Sequence, residues 1–289
     1  MPVSRVARVP SVTEGVSPTS TIMSLFSKFF SGLSRPTTVS VSDPNPTSEW
    51  RTLLTPLGVT TPTCPYCGHG FDSMPQRKRA CPSCQQPIYS RKRPLDGVKV
   101  LLTEQQAKQG EGQDALLGLL QTDSLEGTNP KVAIEKLRAE LGRAPTAEDV
   151  VEHRLLVMGR KHSEDWQWGL YRNARFSLAE SRMRLDRRQD ALRLYLEVCL
   201  VDLNGPRNCG TKDPAIVADF PPFDPTTSFL APGVVNRAAA VARELGLSPA
   251  DLRDQFEAVA DVVQPTLNLP RPIADAWKEL AAALSSRGK

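Results

Sequence analysis

The sequence predicts a disordered N-terminal tail, then a small β module held by a metal ion, then a mainly α-helical domain. Three observations support this prediction. Two Cys-x-x-Cys pairs lie between residues 64 and 84, helical apolar periodicity dominates after residue 130, and residues 1–49 are rich in Ser, Thr and Pro. With 289 residues, 40% of them hydrophobic, the chain is long enough for one or two domains with a substantial core.

The N-terminal tail, residues 1–49, is expected to be disordered apart from one short amphipathic segment at 23–33. Five large apolar side chains of this segment fall on one helical face: Leu25, Phe26, Phe29, Phe30 and Leu33. Such a helix suits a membrane surface, a groove on a partner, or the protein's own domain. The sequence leaves these three alternatives open.

The strongest signal is a set of four cysteines. They form two Cys-x-x-Cys pairs separated by thirteen residues: Cys64 with Cys67, and Cys81 with Cys84. In each pair both sulfurs can face one point, and a proline after the first cysteine stiffens the turn. Gly68 follows the first pair and accepts a positive φ, whereas Gln85 follows the second, so that turn must close without glycine. The spacing predicts a tetrahedral site for one zinc ion.

Other uses of these cysteines have less support. Two disulfides would require an oxidising compartment, and the sequence carries no secretory signal. A redox-active pair would require a neighbouring βαβ pattern, which is missing. Iron suits the same four thiolates, although zinc is the commoner occupant. His69 could replace one cysteine as a ligand, but four thiolates already complete a tetrahedron, so we expect an exposed loop residue there.

On these residues, the stretch from Thr63 to Val100 resembles a zinc ribbon with rubredoxin-type knuckles. The resemblance implies two hairpins around a closed four-cysteine site in which zinc is structural. We place this ribbon at residues 50–102 and expect 103–130 to be a linker with one weak helix.

Positive charge is concentrated on the predicted ribbon. The chain has a net charge of +4, and residues 51–100 carry eight basic but only two acidic side chains. Six of the basic residues are candidate phosphate contacts: Arg77, Lys78, Arg79, Arg91, Lys92 and Arg93. Tyr66, Phe71 and Tyr89 are candidates for stacking on bases. The alternative is that these charges only keep a small module soluble.

Residues 131–289 are predicted to form an all-α domain of about seven helices, interrupted by a Pro-rich crossing at 204–233. The pair of helices between 176 and 203 resembles a tetratricopeptide hairpin, with Ala179, Ala191 and Tyr195 at its small and aromatic positions. Arg182 and Leu203 depart from that pattern. An ordinary helical hairpin in a globular bundle is the alternative. The whole arrangement is similar to uncharacterised bacterial or phage-type proteins, a resemblance that implies no activity.

No catalytic motif is found in the sequence. The three histidines, His69, His153 and His162, form no metal-binding pair, and there is no Gly-x-Ser-x-Gly elbow. We therefore expect a non-enzymatic zinc-binding adaptor whose helical domain binds a protein partner, with nucleic-acid binding through the basic ribbon as the alternative. Reduced cysteines and the lack of an apolar run of about 20 residues predict a cytoplasmic protein without a transmembrane segment.

Overall fold

The computed structural model describes residues 46–121 and 129–286. Over these residues the chain is mainly helical with one small sheet, as predicted. The strands are β1 (Arg79–Ala80), β2 (Pro87–Lys92) and β3 (Lys99–Leu102). The helices are α1 (Pro46–Arg51), α2 (Glu104–Gln121), α3 (Pro130–Leu141), α4 (Ala147–Glu164), α5 (Trp168–Arg184), α6 (Arg188–Leu203), α7 (Pro214–Asp219), α8 (Pro232–Glu244), α9 (Pro249–Leu267) and α10 (Ile273–Ser285). The predicted amphipathic segment 23–33 lies outside the described residues.

The sheet has the strand order β1-β2-β3, with both pairings antiparallel. Tyr89 on β2 stands opposite Leu102 on β3, and Val59 forms a further bridge to Leu101. The sheet buries one apolar cluster around Ile88 and Leu101, and a second around Leu57, Val100, Leu102 and Ala107. Each cluster contains only four buried residues, so apolar burial alone is a weak source of stability for this module.

Residues 46–51 were predicted to end the disordered tail and begin the ribbon, but they form α1. The side chain of Trp50 is only 2% exposed and belongs to the helical core, as does Leu54. The carboxylate of Glu49 lies 3.2 Å from Nζ of Lys131 on α3. The helical core therefore contains residues that precede the strands in the chain as well as residues that follow them. A helix of six residues is too short for its apolar periodicity to predict this.

The expected linker at 103–130 contains an 18-residue helix, α2. Its glycines suggested a weak helix because glycine is a poor helix former. In the structure Gly110 and Gly112 are buried, and a Cβ atom at position 112 would lie 2.3 Å from Oε2 of Glu148 on α4. Here glycine permits close packing of two helices. Helix α2 contacts α4, α5 and both longer strands, so it joins the sheet to the helical region.

Helix α6 lies at the centre of the helical core. It packs against α5, α8, α9 and α10, and its residues from Leu194 to Leu203 are all buried. The predicted helical hairpin between 176 and 203 corresponds to α5 and α6, and Ala179, Ala191 and Tyr195 are each 0% exposed. A helix that is buried on several sides over more than two turns is typical of the interior of a globular domain.

The Pro-rich crossing at 204–233 contains α7 and a single 3₁₀ turn, Pro225–Thr227. Phe223 is buried against Trp168, with 5.0 Å between the ring centroids. Oδ1 of Asn208 accepts a hydrogen bond from the backbone N–H of Gly169 at 2.8 Å and so caps α5. In the described part of the chain, none of the helices has the length and apolar character needed to cross a membrane.

Helix α4 begins with a capping box whose contribution should depend on pH. Asp149 accepts hydrogen bonds from the backbone N–H of Thr146 and from Arg143, both at 2.7 Å, and the hydroxyl of Thr146 accepts from the backbone N–H of Asp149. Burial raises the pKa of Asp149, but Arg143 and Thr146 lower it by more, so it lies below its usual value.

We expect Asp149→Ala to lower the free energy of unfolding by about 1–2 kcal/mol at neutral pH. Because the pKa is depressed in the folded state, this contribution is present above pH of about 4 and disappears as the pH falls further. Urea denaturation of both proteins across this pH range measures the effect. Thr146→Ser, which keeps the hydroxyl, is the control, and a pH-independent difference would contradict the assignment.

Candidate metal centre

The structure brings the four cysteines of the two pairs together. Their Sγ atoms all lie within 4.8 Å of one another, with 3.7 Å between Cys64 and Cys84 and 3.8 Å between Cys67 and Cys81. Metal–sulfur bonds of about 2.3 Å in a regular tetrahedron place the sulfurs about 3.8 Å apart. The cluster therefore fits one tetrahedral metal ion.

The two Cys-x-x-Cys turns have the same backbone hydrogen bonds. In each, the N–H of the first cysteine donates to the carbonyl five residues later, and the N–H four residues later donates back to the carbonyl of that cysteine. The distances are 2.8 Å (Cys64 to His69) and 2.9 Å (Gly68 to Cys64) in the first turn, and 2.9 Å (Cys81 to Gln86) and 2.9 Å (Gln85 to Cys81) in the second. Two nearly equivalent turns thus present two sulfurs each to a common point.

Backbone N–H groups donate hydrogen bonds to the cysteine sulfurs, and the bonds to Cys81 and Cys84 act to lower the pKa of those thiols. The N–H of Tyr66 donates to Sγ of Cys64 at 3.4 Å. Burial raises the pKa of the Cys81 thiol, but the backbone N–H groups of Cys84 and Ser83 outweigh it, and the pKa falls to about 6. The N–H of Gln86 lowers the pKa of Cys84, yet burial and the neighbouring sulfurs raise it to about 12. The lowered pKa of Cys81 beside the raised pKa of Cys84 is an arrangement that a cation would stabilise, because a positive charge offsets the repulsion between two ionised sulfurs.

The second turn closes without glycine by placing a glutamine in the left-handed region. Gln85 has φ of 59° where the equivalent Gly68 has 75°. We expect Gln85→Gly to raise the free energy of unfolding of the metal-loaded protein by about 0.5–1 kcal/mol, since a side chain in this region is strained. Gly68→Ala should lower the free energy of unfolding by about 1–2 kcal/mol, since alanine is strained at this positive φ. No neighbouring atom would clash with the new methyl group, so the backbone strain is the whole cost.

Chemical denaturation in the presence of excess metal measures both changes. The two substitutions are each other's control, since they exchange glycine and a side chain at equivalent positions. Changes of the same sign would contradict the equivalence of the two turns.

The cysteine cluster is part of a small core. Cys64 and Cys81 are buried with Ile88 and Leu101, whereas Cys67 is exposed. The hydroxyl of Tyr66 accepts a hydrogen bond from the backbone N–H of Glu104 at 2.8 Å and so links the first turn to the start of α2. A metal ion bound here would hold together a module with little apolar core of its own.

The six candidate phosphate contacts lie on β1, on β2 and in the residues beside them, and several have partners. Arg91 forms an ion pair with Glu111 at 3.0 Å, and Nε of Arg93 donates to Asp96 at 2.9 Å. Arg77 and Lys92 are exposed and form no ion pair with other described residues. The positive surface is therefore smaller than the sequence suggests.

Two of the aromatic residues proposed to stack on bases are covered by basic side chains. Nζ of Lys78 lies 4.5 Å from the ring centroid of Tyr89, and the guanidinium of Arg79 lies 5.5 Å from that of Phe71. One face of each ring is therefore already occupied by a cation, which reduces the area left for a stacking base.

The remaining candidate ligands lie outside the cluster. His69 is exposed and packs edge-on against Phe71, with 5.5 Å between the ring centroids. Cys199 is buried in α6, and Cys209 is half-buried in the crossing. Among the residues that the structure describes, the four-cysteine cluster is the one group of three or more cysteine, histidine or acidic residues that converges as metal ligands would.

The chain matches no protein-family model, no curated protein and no solved structure.

Proposed function

We propose that the protein is a non-enzymatic adaptor in which one structural zinc ion holds a ribbon and the helical region binds a protein partner. The observation that carries the zinc assignment is the set of four sulfurs within 4.8 Å of one another. Four thiolates leave no open position on a tetrahedral ion for water or substrate, which favours a structural role over a catalytic one. A reducing compartment such as the cytoplasm would keep the thiols available.

The identity of the metal is tested by elemental analysis of the purified protein together with its visible spectrum. Zinc predicts about one ion per chain and no visible absorption, because its d shell is filled. Iron in the same site would colour the protein through thiolate-to-iron charge transfer. No stoichiometric metal would contradict the proposal as a whole.

The ribbon assignment is supported by the two equivalent turns and the antiparallel three-stranded sheet beside them. A tetratricopeptide-like hairpin is supported by the complete burial of Ala179, Ala191 and Tyr195 in α5 and α6. Hairpins of this kind commonly present surfaces to other proteins, and this likeness suggests the adaptor role.

The adaptor role is tested by affinity capture with the zinc-loaded protein at several salt concentrations, followed by reconstitution with each purified candidate. We expect at least one partner to bind in the reconstituted system. Failure of every candidate to bind at any salt concentration would contradict the adaptor role.

Nucleic-acid binding through the ribbon is the second candidate, favoured by Arg77 and Lys92, which are exposed and form no ion pair within residues 46–121 and 129–286. It predicts that Arg77, Lys78 and Arg79 changed together to Ala abolish binding to random DNA and RNA. It also predicts a log–log salt slope of about −0.7 to −0.9 per phosphate contacted. Arg160 and Lys161 changed to Ala on α4 are a control for general charge effects. A flat salt dependence would dismiss this candidate.

A further inference from the structure

A groove on the helical region is bounded by α5, α6 and α9 and has a volume of about 470 Å³. It follows α9 from Gln255 to Leu267, which at about 1.5 Å per residue is a length of about 18 Å, or just over three helical turns. It is separate from the metal centre, since its lining residues all belong to these three helices.

Helix α9 contributes apolar side chains both to the helical core and to the lining of the groove. Leu252, Phe256 and Ala260 are buried on its inner face. An apolar stripe lines the groove, formed by Ala258, Val259, Val262 and Val263; Val259 and Val263 also pack against the helical core. The side chain of Val262 is 68% exposed. Single exposed apolar residues are ordinary, but a continuous apolar stripe within a concave surface is typical of a binding site.

The opposite wall is polar, and most of its charge is already neutralised. Glu197 accepts hydrogen bonds from the hydroxyl of Tyr171 at 2.6 Å and from Nε of Arg175 at 2.7 Å. Arg193, one turn before Glu197 on α6, is exposed and has no acidic partner within the described residues. The groove therefore combines an apolar stripe with one uncompensated positive charge.

The chemistry of this groove selects an α-helical occupant with acidic residues. All three bounding elements are helices, whose backbone groups bond within each helix, so the groove has no strand edge to pair with an extended peptide. A bound helix satisfies its own backbone and needs to present only side chains. An apolar face about three turns long would cover the valine stripe, and a carboxylate beside that face would pair with Arg193.

We propose that the α5/α6/α9 groove binds an amphipathic helix of a protein partner. The apolar side chains of that helix contact Val259, Val262 and Val263, and one of its acidic residues pairs with Arg193. This inference rests on the adaptor function proposed above and names the surface and the kind of partner it uses.

The test measures fluorescence anisotropy with a defined probe and the full-length, metal-loaded protein. The probe is a fluorescein-labelled peptide of about four turns, cross-linked to keep it helical, with leucine at every third or fourth position and glutamates elsewhere. A twin peptide has lysine in place of each glutamate. We expect the acidic peptide to bind about ten-fold more tightly than its twin, and Arg193→Glu to reverse this preference.

Val262→Asp should weaken binding of the acidic peptide at least ten-fold. Val132→Asp on α3 is the matched control, since this valine is 65% exposed and lies outside the groove. Both substitutions are at exposed positions, and circular dichroism verifies that the variants fold. No binding by the unchanged protein, equal binding of both peptides, or equal effects of the two aspartates would overturn the proposal. A purified partner that still binds the Val262→Asp variant would leave the adaptor role intact while refuting this groove.

Discussion

Replacing Cys81 by serine is expected to reduce bound metal from about one ion per chain to almost none and to unfold the small sheet. Cys81 is 0% exposed and belongs both to the sulfur cluster and to the apolar cluster around Ile88 and Leu101. With so few buried apolar residues around the sheet, we expect the sheet to need the free energy of metal binding to stay folded. Chelation of the unchanged protein should have the same effect.

The helical region should survive this loss, because its core contains none of the four clustered cysteines. Elemental analysis measures the metal, and circular dichroism measures the helix. The helical signal should fall by no more than the contribution of α2, whose 18 residues include contacts with the sheet. Cys209→Ser is the control, since this thiol lies outside the cluster and a hydroxyl can keep its hydrogen bond to the carbonyl of Phe220. Stoichiometric metal in the Cys81 variant would refute the site, and loss of all helix would refute the independence of the two cores.

Glu197→Ala is expected to lower the free energy of unfolding by about 3–5 kcal/mol, the second large effect. Glu197 is 5% exposed and pairs with Arg175 through both carboxylate oxygens, while Tyr171 donates to one of them. Its removal would leave the guanidinium of Arg175 partly buried without an anion, and a hydroxyl without its acceptor. An unpaired buried charge costs far more than the pair contributes.

Two further variants test this explanation by guanidinium denaturation of the metal-loaded protein. Changing Arg175→Met and Glu197→Leu together should recover most of the loss, because no charge is then left unpaired. Glu257→Ala breaks the exposed pair with Arg253 on α9, at 2.7 Å, and should cost far less, because solvent screens this pair. Similar costs for Glu197→Ala and Glu257→Ala would show that burial of the pair is not the cause.

The candidate site was accessible to sequence analysis because its chemistry is local. Each Cys-x-x-Cys pair fixes two sulfurs within one turn, so only the approach of the two turns depended on the fold. The hydrogen bonds that complete the second turn at Gln85 were harder to foresee, since glutamine rarely adopts a positive φ. The helical character after residue 130 also followed from short-range periodicity.

Features that depend on distant contacts could not be predicted in this way. In the sequence, Gly112 indicates a weak helix. In the structure, it leaves the space that Glu148 of α4 occupies. Trp50 precedes the cysteines in sequence but is buried in the helical core. One buried polar cluster joins two helices: Tyr171 and Arg175 on α5, and Glu197 on α6. The sequence around each residue does not indicate that its side chain is buried. The tertiary fold decides which polar residues are buried.

The enclosure of α6 limits how this protein can be divided or shortened. In arrays of stacked helical hairpins, each unit touches only its neighbours, so units can be removed from an end while the remainder stays folded. Here the second helix of the hairpin is covered by α8, α9 and α10, which come later in the chain. Truncation before α8 would expose an apolar helix on several sides and favour aggregation. We therefore expect the helical region to fold only when α8, α9 and α10 are present together with α6.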